Sequence, residues 1–144
     1  MHQKKGKIGL VCYANYCRSP VAEKILKSIN TEYQFVSAGV APHQKRSMHP
    51  FSEKFLRTNG YAIENSFPKK VNLDFLFSCD AIYAMDPIVF MHLIEKHKIY
   101  SKKIFLFNKD HRSIEIYDPF KFEEEDYFKC MRNIEYICKN LKVN

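Results

Sequence analysis

The chain has 144 residues, of which 46% are hydrophobic and 27% charged, a mixture that excludes a disordered or fibrous protein. That length fits one compact domain, taken as residues 1–144, and a core of its size needs no disulfide or metal staple. Lysine and arginine total 23 against 16 acidic residues, so the net charge of +7 favours anionic partners such as phosphorylated substrates.

In chain order, Lys7-Ile8-Gly9-Leu10-Val11 reads as a buried strand. Ser19 to Ile29 reads as a helix, with Val21, Ala22, Ile25, Leu26 and Ile29 at helical spacing. Pro20 fits its first turn, where a missing N–H costs nothing. Tyr33 to Ser37 is a second strand, ended by Gly39. Phe51 to Asn59 is a helix with Gly60 as its stop. Ala81 to Met85 is a third strand, and Asp86 with Pro87 opens a helix that runs to about His97. Ile104 to Phe107 is a fourth strand. A last helix from about Glu123 to Leu141 carries one apolar stripe of Tyr127, Cys130, Met131, Ile134, Ile137, Cys138 and Leu141. Its acidic first turn, Glu123 to Asp126, suits the positive end of a helix.

Strands alternating with helices predict a single-domain α/β open sandwich, a four-stranded parallel sheet with helices on both faces, and its strand order is taken as 2-1-3-4. Five cysteines, an odd number, argue against a disulfide framework, and no C-x-x-C spacing suggests a zinc ribbon. The apolar runs are too short to span a bilayer, and the basic start, Met1 to Lys7, is not followed by a signal stretch. A cytoplasmic location without membrane insertion is the expectation. The basic residues fall in short clusters (Lys4-Lys5, Lys45-Arg46, Lys69-Lys70, Lys102-Lys103) that read as solvated surface. No aromatic-basic interleaving suggests nucleic-acid binding.

Parallel sheets bind ligands at the carboxyl ends of their strands. That rule selects the first strand-to-helix loop, Cys12-Tyr13-Ala14-Asn15-Tyr16-Cys17-Arg18-Ser19. Its backbone N–H groups can converge on an anion at the helix N-terminus. A helix N-terminus and a guanidinium both favour a thiolate, so Cys12 is a candidate nucleophile. Arg18 offers a planar fork for two phosphoryl oxygens. The loop suits in-line attack on a phosphate ester.

The run from Leu10 to Glu23, with Asn15, Cys17 and Ser19-Pro20 inside it, resembles the signature of the low-molecular-weight protein tyrosine phosphatases. Ser37-Ala38-Gly39, Tyr83-Ala84-Met85-Asp86 and Tyr117-Asp118-Pro119-Phe120 are similar to three further segments of that family. The details are most similar to its bacterial branch acting on tyrosine autokinases of capsule and exopolysaccharide export. The resemblance implies hydrolysis of phosphotyrosine monoesters through a phosphocysteine on Cys12, with Arg18 binding phosphate and Asp118 as general acid and then base. It implies no metal or cofactor, and binding of phosphate or vanadate. Tyr13, Ala14, Asn15, Tyr16, Cys17, Ser19 and Phe120 would line or hold the substrate site. Asn15 and Ser19, with Ser37, would orient the thiolate, and Phe120 would wall the ring beside Tyr13 or His43.

The family carries glycine where this chain has Ala14; a left-handed conformation or close approach there would strain the loop. Cys17 either packs the loop or traps oxidised Cys12 as a disulfide. Asp86 reads as a helix cap, and His43 and His49 as surface residues, with the pocket rim as the other reading of His43. Two rivals stay open. An arsenate reductase of the same fold needs a relay pair of cysteines, and Cys79 has no partner in the Asp80 to Met91 region. A non-catalytic phosphotyrosine-binding module is the other, kept open by Ala14.

Overall fold

The computed structural model describes residues 3–44, 47–64 and 66–143. The Lys45-Arg46 cluster therefore lies outside the described residues. Four strands, β1 (Gly6–Cys12), β2 (Tyr33–Gly39), β3 (Ala81–Ala84) and β4 (Ile104–Leu106), form one parallel sheet in the order β2-β1-β3-β4. This is the order that the sequence predicts. The helices are α1 (Ser19–Ile29), α2 (Pro50–Thr58), α3 (Leu73–Ser78), α4 (Pro87–Lys96) and α5 (Glu124–Lys139), with a 3₁₀ turn over Lys98–Lys103.

The side-chain alternation of β1 splits the core into two layers. Ile8, Leu10 and Cys12 face the layer made by α1, α2 and α5, where Val21, Ile25, Phe55, Met131 and Ile134 pack. Val11 faces the opposite layer, with Ile82, Ala84, Leu76, Val89 and Leu93 from β3, α3 and α4. A strand covered on both faces needs the near-continuous apolar run that β1 has. The stripe of α5 is buried from Tyr127 to Cys138, while Leu141 is only partly covered. On α1 the expected stripe stops at Leu26; Ile29 is 44% exposed at the helix end.

Asp86 and Gly60 mark helix ends as the sequence predicts, whereas the cap at His49 is not marked there. Asp86 accepts the Val89 N–H at 2.8 Å and opens α4. His49 caps α2 through Nδ1, which accepts the Phe51 N–H at 3.0 Å. Gly60, past the end of α2, has φ +79°, a left-handed conformation that side chains resist. Helix α3 and the 3₁₀ turn were not expected from the sequence. α3 has six residues, capped by Asn72 through the Phe75 N–H, and leaves Leu73 and Phe77 exposed, so no stripe marks it.

The strand ends set up the site. Cys12 pairs with Gly39, Val11 with Ala84, and Ala84 with Leu106. The segments that follow all four strands therefore leave from one edge of the sheet. No helix among the described residues is long and apolar enough to cross a membrane.

Candidate active site

The segment from Tyr13 to Arg18 makes a closed turn between β1 and α1. Its carbonyls are taken from outside the turn. Cys12 O accepts from Val40 N, Tyr13 O from Ala41 N, Ala14 O from His43 N and Tyr16 O from His49 N, at 2.8–3.2 Å. Cys17 O accepts the Ser52 hydroxyl at 2.8 Å. In a trans peptide the N–H points opposite to the C=O. The N–H groups of Tyr13, Ala14, Asn15, Cys17 and Arg18 are thereby turned toward the centre of the loop. That arrangement is a nest for an anion at the N-terminus of α1.

Cys12 lies at the floor of this nest. Its Sγ is 2.9 Å from Ser19 Oγ and accepts the Ser19 N–H at 3.5 Å. Asn15 Nδ2 donates to Ser19 Oγ at 2.8 Å and to Ser37 Oγ at 3.0 Å. Asn15 itself has φ +51°, a left-handed conformation that asparagine tolerates better than most residues. Its Oδ1 accepts the Lys69 N–H at 2.9 Å, tying the loop to the 66–71 segment.

The expectation of strain at Ala14 is corrected here. The left-handed residue is Asn15, and Ala14 has no positive φ. The close approach falls instead on Gly39, where an added Cβ would stand 2.7 Å from Asn15 N and 2.8 Å from Ala14 C. The backbone of β2 thus presses on the loop from the side, and glycine is required at 39 rather than at 14.

Arg18 is 1% exposed and is fixed by two acceptors. Its Nη1 donates to Asp86 Oδ2 at 2.7 Å and to the Ile116 carbonyl at 3.3 Å. Burial disfavours its charge, but Cys12, Asp86 and Asp118 hold its pKa above the usual guanidinium value. Sequence reading found Asp86 as a helix cap and missed this second role. One carboxylate serves both: Oδ1 caps α4 and Oδ2 aims the guanidinium.

Above the loop opens a pocket of about 710 Å³, lined by Cys12, Arg18, Tyr13, His43, Asp118 and Phe120 among others. Tyr13 and Phe120 are 50% and 43% exposed, as rings at a pocket mouth are. Asp118 Oδ1 accepts the Phe120 N–H at 3.3 Å, and Cys130 Sγ on α5 donates to the Tyr117 carbonyl at 3.3 Å, which ties this wall to the last helix. Ala14 and Cys17 also reach the pocket. The side chains of three other expected substrate residues do not. Asn15 and Ser19 lie buried beneath the loop, and Tyr16 stacks on His43 at 4.0 Å, behind the wall. For these three, any contact with a substrate is through the backbone.

His49 is corrected from a surface residue to a half-buried member of an aromatic group, and His43, in the same group, takes the second of its two readings, at the pocket rim. His43 is 5.7 Å from Phe120, and His49 is 4.7 Å from Tyr127. Burial, and then the neighbouring His43, pushes the pKa of His49 down, in keeping with its Nδ1 acting as an acceptor. Ala41, Pro42 and Gln44 line the pocket as well; no local pattern in the sequence singled them out.

Burial governs the other thiols. Burial pushes Cys17 up to about 12, and Cys79 and Cys130 up to about 11. Cys79 is buried between α3 and β3, which disfavours it as the exposed relay thiol of an arsenate reductase.

A thiol under an anion nest, an inward guanidinium and a carboxylate on the wall are the parts a phosphoric monoester hydrolase needs. Residues 7–144 match the model of the family described as low molecular weight phosphotyrosine protein phosphatase, and the chain belongs to that family. The low molecular weight protein-tyrosine-phosphatase Wzb of Salmonella typhi is 26% identical over 125 residues, covering 87% of this chain and 83% of that protein. Among solved structures, Vibrio vulnificus Wzb in complex with benzylphosphonate superposes with a TM-score of 0.87 at 21% identity, covering 94% of this chain and 95% of that one. The YwlE arginine phosphatase from Geobacillus stearothermophilus gives a TM-score of 0.84 at 21% identity, covering 93% and 88%. Both likenesses, at 21% identity, show the fold. The chain is a low-molecular-weight protein tyrosine phosphatase by family.

Proposed function

We propose that this protein hydrolyses phosphotyrosine by a two-step transfer through Cys12. The Cys12 thiolate attacks phosphorus, an S–P bond forms, and the P–O bond to the phenol breaks. Asp118 gives its proton to the leaving phenolate oxygen. Water then attacks the phosphocysteine, Asp118 takes a proton from it, and phosphate leaves with the thiolate regenerated. The loop N–H groups and Arg18 hold the equatorial oxygens throughout. The observation that carries this reading is the pair of contacts on Cys12 Sγ, with Ser19 Oγ and from the Ser19 N–H, at the floor of a pocket walled by Asp118 and Phe120. The open apolar mouth between Tyr13 and Phe120 supports a flat aromatic ester as the substrate.

The test compares phosphotyrosine peptide, p-nitrophenyl phosphate and phosphoarginine as substrates across pH 5 to 8, with vanadate as competitor. Turnover of the two aryl esters, blocked by vanadate and exceeding that of phosphoarginine, is the expected result. Vanadate binding with no aryl ester turnover would return the binding-module reading, and preferential phosphoarginine cleavage would replace the substrate class.

The partner in this reading is a phosphotyrosine protein, with a bacterial tyrosine autokinase as the form favoured by similarity to Wzb proteins. A reducing compartment, the cytoplasm, is supported by five free thiols. Residues 1–144 are read as one domain, supported by the packing of α1, near the start of the chain, against α5, near its end.

Cys17 extends the reading to oxidation. Peroxide converts the Cys12 thiolate to a sulfenic acid with release of hydroxide; Cys17 then displaces water from that sulfur and closes a disulfide. Because burial pushes the Cys17 pKa up to about 12, little thiolate exists near pH 7. The bridge should form slowly at pH 7 and faster as pH rises. Mass spectrometry that finds only sulfinic and sulfonic Cys12, at every pH, would remove the bridge from the account.

A further inference from the structure

One buried carboxylate has no part in the chemistry above. Glu23 lies on α1 one turn after Ser19, on the face turned to β2, and is 5% exposed. A carboxylate is costly to bury unless paired and hydrogen-bonded. Glu23 Oε1 accepts the Ser37 hydroxyl at 2.5 Å, and Oε2 meets Lys27 Nζ at 2.7 Å and Lys24 Nζ at 3.9 Å.

From Ser37 a continuous series of hydrogen bonds leads to the nucleophile, and its direction is determined. A carboxylate only accepts, so Ser37 must give its one hydrogen to Glu23. Ser37 Oγ is then left as an acceptor, and it takes one hydrogen of Asn15 Nδ2. The Asn15 amide cannot flip, because Oδ1 is held by the Lys69 N–H. Its second hydrogen therefore goes to Ser19 Oγ. Ser19, buried and already accepting, satisfies its own hydrogen only by donating to Cys12 Sγ. A sulfur that receives both this hydroxyl and the Ser19 N–H is favoured as thiolate.

We propose that Glu23 is a positioning residue: its carboxylate, acting through Ser37 and Asn15, fixes the Ser19 hydroxyl as a donor to the Cys12 thiolate. The inference rests on the assignment of Cys12 as nucleophile. In a Glu23→Gln variant one oxygen becomes an amide donor. The remaining oxygen is drawn to Lys27, so the amide faces Ser37 and leaves the Ser37 hydrogen without its acceptor. The series then loses its fixed direction.

The experiment measures iodoacetamide alkylation of Cys12, as the part protected by inorganic phosphate, against pH. It uses wild type, Glu23→Gln, Ser37→Ala and the double variant, with kcat for p-nitrophenyl phosphate beside it. The alkylation midpoint should rise by about one pH unit in each single variant, a tenfold change in ionisation. The double variant should rise no further, since both changes break one series. The sign is diagnostic. Acting only as a nearby negative charge, Glu23 would oppose the thiolate, and its neutralisation would move the midpoint down. A downward shift, an unchanged profile in either folded variant, or additive shifts overturns the proposal. Should Glu23→Gln fail to fold, Ser37→Ala decides alone, because it cuts the series while leaving Glu23 and its lysines in place. Wild-type enzyme lacking any phosphate-protected alkylation at Cys12, or full activity in Cys12→Ser, would instead overturn the nucleophile assignment itself.

Discussion

Cys12→Ser is expected to lower turnover of p-nitrophenyl phosphate by roughly 10⁴–10⁶-fold while phosphate still binds, the scale seen when a covalent nucleophile is removed from an otherwise intact site. The reason lies in which parts of the site the substitution leaves alone. The inward N–H groups of the loop belong to the backbone, held by Val40, Ala41, His43, His49 and Ser52. Arg18 is fixed by Asp86 and Ile116, neither of which touches Cys12 in the hydrogen bonds described. The cradle therefore survives. A serine hydroxyl at the same place is not ionised near neutral pH, and the hydrogen bond from Ser19 does not make it so. Rates for both proteins, with phosphate affinity from titration calorimetry, check the prediction. Activity within tenfold of wild type would show that Cys12 is not the nucleophile.

Asp118→Asn should slow cleavage of phenyl phosphate by roughly 10²–10⁴-fold, the usual worth of a positioned general acid. Asparagine retains Oδ1, which accepts the Phe120 N–H, so the wall of the pocket keeps its shape and only the proton is lost. The size of the effect should depend on the leaving group. Phenolate is a poor leaving group and needs protonation, whereas p-nitrophenolate departs readily without it. The variant should therefore lose far less in the first step with p-nitrophenyl phosphate. Its second step still lacks a base for the attacking water, so a burst of p-nitrophenol should precede slow turnover. Equal losses on both esters, with no burst, would take the acid-base role away from Asp118.

The frame of this protein was open to sequence reading because its signals are local. Pro20 and the apolar repeat give α1 its observed bounds, Ser19 to Ile29, and Asp86-Pro87 marks the start of α4. The parallel sheet follows from the alternation of strands and helices, while the order β2-β1-β3-β4 is set by which strands pair and not by that alternation. Helix α3 was missed because six residues with Leu73 and Phe77 exposed carry no period. The site divides in the same way. Cys12 and Arg18 lie in one run, whereas Asp86 reaches Arg18 across 68 residues, and no local pattern announces that contact. The steric constraint was likewise assigned to Ala14 when it belongs to Gly39, a residue of the neighbouring strand. Glu23 sits inside the motif run, yet its link to Ser37 exists only once β2 lies beside α1.

The two grips on Arg18 come from residues 68 and 98 positions further along the chain, and the Asp118 wall is tied down by α5. Contacts of such separation form late, since long loops must close before they form. A chain emerging from the ribosome thus holds its cysteine and its arginine early but cannot aim the arginine. The series that ends on Cys12 lies within residues 12–37 and needs none of these late contacts, whereas the clamp on Arg18 and the Asp118 wall wait for the rest of the chain. The nucleophilic corner can thus be set before the parts that surround it, and the whole site arrives only with the completed fold.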